Sequence, residues 1–154
     1  MSPKPDVSAE RKPQILAAAM RTFTRKGLVA TRMEDIAREA RLSVGGVYWY
    51  FNGKDEVIQE LLNEITETDM GHLRQLLQSE GKVVDRLLHY LQTDLASMQK
   101  IYPLLYELYG WALHDERILK QVSAYQTAYR QCLEEFFRQG IERGELSPHD
   151  PTVA

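Results

Sequence analysis

The chain has 154 residues, 44% of them hydrophobic and 27% charged, with a net charge of −3. That is the make-up of an ordinary globular protein, long enough for one real core or two small helical layers. No apolar run approaches the ~20 residues of a membrane span, MSPKPDVSAERK lacks the apolar centre of a signal peptide, and the single Cys132 excludes an internal disulfide; the reading is a cytoplasmic protein with no membrane partner.

Charge divides the chain. Residues 1–54 carry ten Lys/Arg against five Asp/Glu, and residues 55–154 carry nine against seventeen. A basic head on an acidic body suits a polyanion partner.

Residues 1–8, with two prolines and little apolar content, read as a disordered tail. In RKPQILAAAMRTFTRKG, Ile15, Leu16, Ala19, Met20 and Phe23 share one helical face. Pro13 suits the first turn, and Gly27 suits a C-terminal stop. A second helix opens at Thr31-Arg32-Met33-Glu34, which reads as a capping box with Thr31 as the cap and Glu34 reaching back. About three residues later Ser43 can cap another short helix. The stretch SVGGVYWYFNGKDE then places two glycines before four aromatics and an Asn52-Gly53 pair. Locally it imitates a β-hairpin, but VIQELL after it has helical spacing.

A long helix starts at Lys54, with Asp55 and Glu56 in its first turn. Gly71 threatens to interrupt it and Gly81 ends it. Val84, Leu87, Leu88, Leu91, Leu95 and Met98 form the next stripe. Pro103 opens a helix over LLYELYGWALH, and Asp115 caps a last long helix that Gly144 closes. The expectation is an all-α chain of about seven helices: a three-helix head over 9–53, with a helix-turn-helix near 32–51, and a helical bundle body over 54–154.

The residues Ile15, Leu16, Ala18, Ala19, Phe23, Gly27, Thr31, Ile36, Ala37, Ala40, Ser43, Gly45, Tyr48, Tyr50, Phe51 and Lys54, at this spacing, resemble the DNA-binding domain of the TetR family of bacterial transcriptional regulators. The resemblance covers about residues 11–60; the rest agrees only in architecture. It implies double-stranded DNA with a palindromic operator as partner, a homodimer, and a body that binds a small effector and lets go of the operator, which is repressor behaviour. It places Thr31 and Lys54 near phosphate, Arg32 within reach of phosphate or a base, Ser43, Val44, Gly45 and Gly46 where the recognition helix touches DNA, and Tyr48 and Tyr50 beside the groove. Val47 and Phe51 read as core, and Trp49 as either core or contact. Two positions depart from the pattern. Arg41 replaces the usual glycine of the turn and can add a phosphate contact, and Gly46 stands where a small polar residue is common. The resemblance also implies two further dimerisation helices, so the body reads as C-terminally incomplete.

In the body, Met98, Tyr102, Tyr106, Trp111, His114, Tyr125 and Tyr129 combine apolar area with polar tips and are the candidate lining of a pocket for an apolar or aromatic effector. An adaptor of the same fold without a ligand is the alternative. An enzyme is disfavoured. Asp69-x-x-His72 and Asp85-x3-His89 are the nearest approaches to the Glu-x-x-His pairs of di-metal bundles, no nucleophile triad stands out, and neither metal nor cofactor is expected.

Overall fold

The computed structural model describes the backbone of residues 7–99 and 101–147, and side chains from Glu10 onward except at 95, 97 and 98. Seven helices and no strand occur among the described residues: α1 (Val7–Lys26), α2 (Met33–Ala40), α3 (Val44–Tyr48), α4 (Lys54–Gln78), α5 (Val83–Met98), α6 (Tyr102–Ala112) and α7 (Glu116–Glu142). They form two compact units, one of residues 1–64 with 103–110, the other of 65–102 with 111–154.

The expected tail is corrected at its end, because α1 already contains Val7 and Ser8; residues 1–6 lie outside the described residues. Ala9, Glu10, Arg11 and Lys12 are strong helix formers. They carry the helix past Pro13, which therefore sits inside α1 rather than in its first turn. Gly27 stops α1 as expected, at φ +81°, a left-handed conformation that glycine adopts freely. Gly71 does not interrupt α4.

In the first unit the core is sealed by small and branched side chains. Ile15, Ala18, Ala19 and Phe23 of α1, Ile36, Ala37 and Ala40 of α2, Val47 of α3, Phe51, and Val57, Ile58 and Leu61 of α4 are all buried. Burying each large aliphatic or aromatic chain stabilises by ~1.5–3 kcal/mol. Polar ties reinforce the α1–α2 pair. Gln14 Nε2 donates to Ala40 O (2.6 Å) at the end of α2, Arg21 and Arg25 both reach Glu39, and Lys26 pairs with Asp35 (2.7 Å).

In the second unit Leu73, Leu76, Val83, Tyr90 and Phe136 form the core, with Met70, Leu77, Tyr129, Leu133 and Leu146 packed on it. Gly140 permits a close approach: a Cβ there would lie 2.8 Å from Val83 Cγ2 and 2.9 Å from Leu146 Cδ1. The chain turns at Gly144, φ +70°, and Glu145 then accepts the Val83 amide (2.5 Å) at the start of α5. Asp115 caps α7 as expected, accepting from the amides of Arg117 and Ile118.

Candidate nucleic-acid interface

The entry to α2 is one residue later than the sequence suggests. Its N-cap is Arg32, in extended conformation, and the Arg32 amide donates to Asp35 Oδ2 (3.1 Å). Thr31 and Glu34 do not form the capping box. Thr31 is buried and its hydroxyl donates to Gly27 O (2.7 Å). The loop carbonyl, already brought close by the turn at Gly27, takes the hydroxyl that the box reading assigned to an amide. Thr31 is thus turned inward, while Arg32 is exposed. Lys26, first among the causes, and the Arg32 amide hold the Asp35 carboxyl below its ordinary range.

The turn between α2 and α3 answers the question raised by Arg41. Arg41 adopts the left-handed conformation, φ 56° and ψ 41°, and is the one non-glycine residue at positive φ among the described residues. The turn keeps the glycine geometry at a cost of ~1–2 kcal/mol. The Leu42 amide donates to Ala37 O (2.9 Å), which closes the end of α2. The Arg41 side chain is exposed.

Ser43 caps α3, its Oγ accepting from the Gly46 amide (3.0 Å). One face of this five-residue helix is sealed by Val47, and Phe51 is sealed just beyond it. The other face is open: Val44 is 37% exposed, Tyr48 46%, and Trp49, directly after the helix, 82%. The two glycines differ. A Cβ at Gly45 would meet nothing within 4 Å, whereas one at Gly46 would lie 3.1 Å from Ser43 Oγ. Gly45 leaves a bare backbone on the exposed face, and Gly46 makes room for the cap. Trp49, which the sequence left undecided between core and contact, is the most exposed ring of the aromatic block, while Tyr50 is half-buried.

Lys54 has a local task. Its ammonium donates to Leu28 O (2.8 Å) and Thr31 O (3.1 Å), tying the α1–α2 loop to the start of α4. The structure therefore groups Arg32, Arg41, Ser43, Val44, Gly45 and Tyr48 as exposed residues of α2–turn–α3, leaves Gly46 and Tyr50 partly covered, and uses Thr31 and Lys54 within the loop.

The head's geometry has counterparts in known proteins. Residues 15–61 match the profile of the bacterial regulatory proteins of the tetR family. The head of the chain carries the TetR-family DNA-binding region over that stretch. The HTH-type transcriptional regulator TtgR of Pseudomonas putida is 40% identical over 74 residues, which is 48% of this chain and 35% of that protein. Two solved structures carry the same fold over 94% and 93% of the chain. One is a transcriptional regulator from Saccharomonospora viridis in complex with choline (TM-score 0.84, 18% identity, 77% of that chain). The other is AibR in complex with isovaleryl coenzyme A and operator DNA (TM-score 0.72, 23% identity, 78% of that chain). The alignment with TtgR spans about a third of that relative's length.

The second unit holds a cleft of about 380 Å³ between α4 and α5, lined by His72, Leu76, Arg86, His89, Tyr90 and Asp94 among others. None of the six described residues expected to line a pocket lines this one. Tyr102 and Tyr106 are exposed, at 37% and 76%, His114 is exposed, and Trp111 is half-buried. The cause lies in α6. It is apolar at nearly every position, so periodicity could not separate its faces; the buried set is Leu104, Leu108 and Ala112, and the tyrosines point elsewhere. Tyr125 donates to Asp69, and the Tyr129 hydroxyl meets that of Tyr90 (3.2 Å). The Met98 side chain lies outside the described residues.

Several polar groups cluster at the cleft. Asp69 is buried, and Asp94 stands near it with His72 Nδ1 at 3.9 Å. Burial, then the negative charge and hydrogen bond of Asp69, push the Asp94 carboxyl up to about 6, with His72 opposing. Burial also raises the Tyr90 and Tyr129 phenols. Arg86, 4% exposed, donates to Leu76 O (2.6 Å) and Leu77 O (3.1 Å) and lies over the Phe136 ring. It thereby satisfies the carbonyls at the end of α4, as a C-terminal cation should. Cys132 is partly buried in the same unit, and burial raises its thiol, which makes it a poor nucleophile.

Proposed function

We propose that the chain is a DNA-binding transcriptional regulator, a repressor that acts as a homodimer on a palindromic operator. The observation that carries this reading is α3 itself: one face locked by Val47, the other presenting Val44, the bare backbone of Gly45, Tyr48 and Trp49 to solvent. A major groove ~12 Å wide admits such a helix, and the N-terminal residues of a recognition helix meet base edges. Arg32 and Arg41, both exposed, supply cations for phosphate on either side of α2. Two heads on a two-fold site about one helical turn apart explain the need for a dimer.

Residues 54–154 are, on this reading, the regulatory part. The α4–α5 cleft is of the size that takes a small molecule, which favours an effector-responsive regulator over an adaptor without a ligand. Its lining includes Glu80, Asp85 and Asp94 beside Arg86. A ligand carrying positive charge suits it better than the purely apolar one suggested by the tyrosines. One neighbour of the same fold was solved with choline, a cation. Such a ligand acts by binding one conformation of the protein more tightly than the other.

Selection of duplexes from a random-sequence pool by the full-length protein tests the main reading. The expected product is a palindrome whose binding weakens steeply with salt. Recovery of no enriched sequence would refute it. Thermal shift with a panel of small cations tests the effector reading, and stabilisation only by uncharged aromatics would overturn it.

A further inference from the structure

We propose that Glu107 is the positioning residue through which α6 sets the α1–α2 loop, and with it the start of α2. The Leu28 amide donates to Glu107 Oε2 (2.5 Å). The same carboxylate lies against Gly27, where a Cβ would sit 3.2 Å from Glu107 Oε1. On its other side the loop is held by Lys54, through the carbonyls of Leu28 and Thr31, and by the Thr31 hydroxyl on Gly27 O. Residues 27–31 are thus clamped by an acid from α6 and an amine from α4, both acting on main-chain groups. The residue after the clamp is Arg32, the N-cap of α2.

Two facts give this contact more than local weight. Glu107 is 79 residues away in sequence from Leu28, so it is not part of the turn's own chemistry. And α6 is shared: Pro103–Gly110 belong with the first unit, while Tyr102, Trp111 and Ala112 belong with the second. The helix thus begins and ends in residues of the second unit, and its Glu107 holds the loop that leads into α2. The proposal rests on the DNA-binding reading for its functional consequence.

Simple electrostatics and the clamp predict opposite signs. Removing an acidic charge from a DNA-binding head strengthens binding to a polyanion. Loosening the loop weakens it. Glu107 is exposed, so Glu107→Ala should fold, and circular dichroism melting verifies this before each assay. With the duplex selected by the wild-type protein, Glu107→Ala is expected to bind about tenfold more weakly, on the scale of one lost hydrogen bond to a charged group, with an unchanged slope of log affinity against log salt. Glu107→Gln, which keeps an acceptor oxygen, falls between the two. Amide hydrogen exchange at Leu28 should accelerate at least about tenfold in Glu107→Ala. Equal or tighter DNA binding by the folded Ala variant, or unchanged exchange at Leu28, would overturn the proposal. If the wild type selects no duplex, the DNA reading fails by itself, and the exchange measurement alone still decides whether Glu107 holds the loop.

Discussion

The two units place their polar groups differently. In the first, the buried core is apolar apart from Thr22 and Thr31, whose hydroxyls go to nearby carbonyls, and charges sit on the surface in pairs such as Arg21 and Arg25 with Glu39. In the second, Asp69 and Arg86 are buried and Asp94 is nearly so. An apolar, close-packed core in the first unit holds the surface above it in one arrangement. Buried ionisable groups in the second unit can change their protonation or pairing. Four substitutions break or sharpen that contrast.

The largest effect is expected at Phe51, fully buried beneath α3. Phe51→Ala should cost ~3–5 kcal/mol, read from urea denaturation. A loss below ~1 kcal/mol would mean that the head is not packed as described. Gly140→Ala comes next, because its methyl group collides with Val83 and Leu146; ~1–3 kcal/mol should be lost. Arg41→Gly has the opposite sign. It relieves the left-handed strain and should stabilise by ~1 kcal/mol, while removing a cation and lowering the salt dependence of DNA binding.

The smallest effect concerns pH. The folded state holds the Asp94 carboxyl at about 6, above its ordinary value of 3.8. Between these values the folded chain binds more protons than the unfolded one, so this group's contribution to stability falls as pH rises from about 4 to 6. Asp94→Asn should flatten that part of the stability curve, measured by denaturation at successive pH values. A curve identical to the wild type would show that Asp94 does not titrate there.

The head was legible because its signals are local and mutually consistent: the Gly27 stop, the Ser43 cap and the apolar spacing of Ile36, Ala37 and Ala40 each specify one geometry. The all-α architecture followed from the same kind of signal. What sequence missed in the head depends on tertiary partners. Thr31 and Lys54 carry the residue types of phosphate contacts, but the carbonyls that claim them come from a folded loop. Glu107 gives no sequence signal at all, since its partner is Leu28. In the body the difficulty was different. An apolar α6 has no polar face to orient it, and the cleft is made by His72, Arg86 and Asp94, which share a site only once α4 and α5 are brought together.

Gly45 gives the most direct test of the claim that α3 is a DNA-reading surface. Space around its Cβ position is open, and alanine is a better helix former than glycine by up to ~1 kcal/mol. Gly45→Ala should therefore melt at the same temperature as the wild type or higher. If the bare backbone lies against DNA, the added methyl group should nonetheless weaken binding to the selected duplex at least about tenfold, the cost of overpacking a close contact. A variant that is equally stable and binds that duplex as tightly as the wild type would contradict the account.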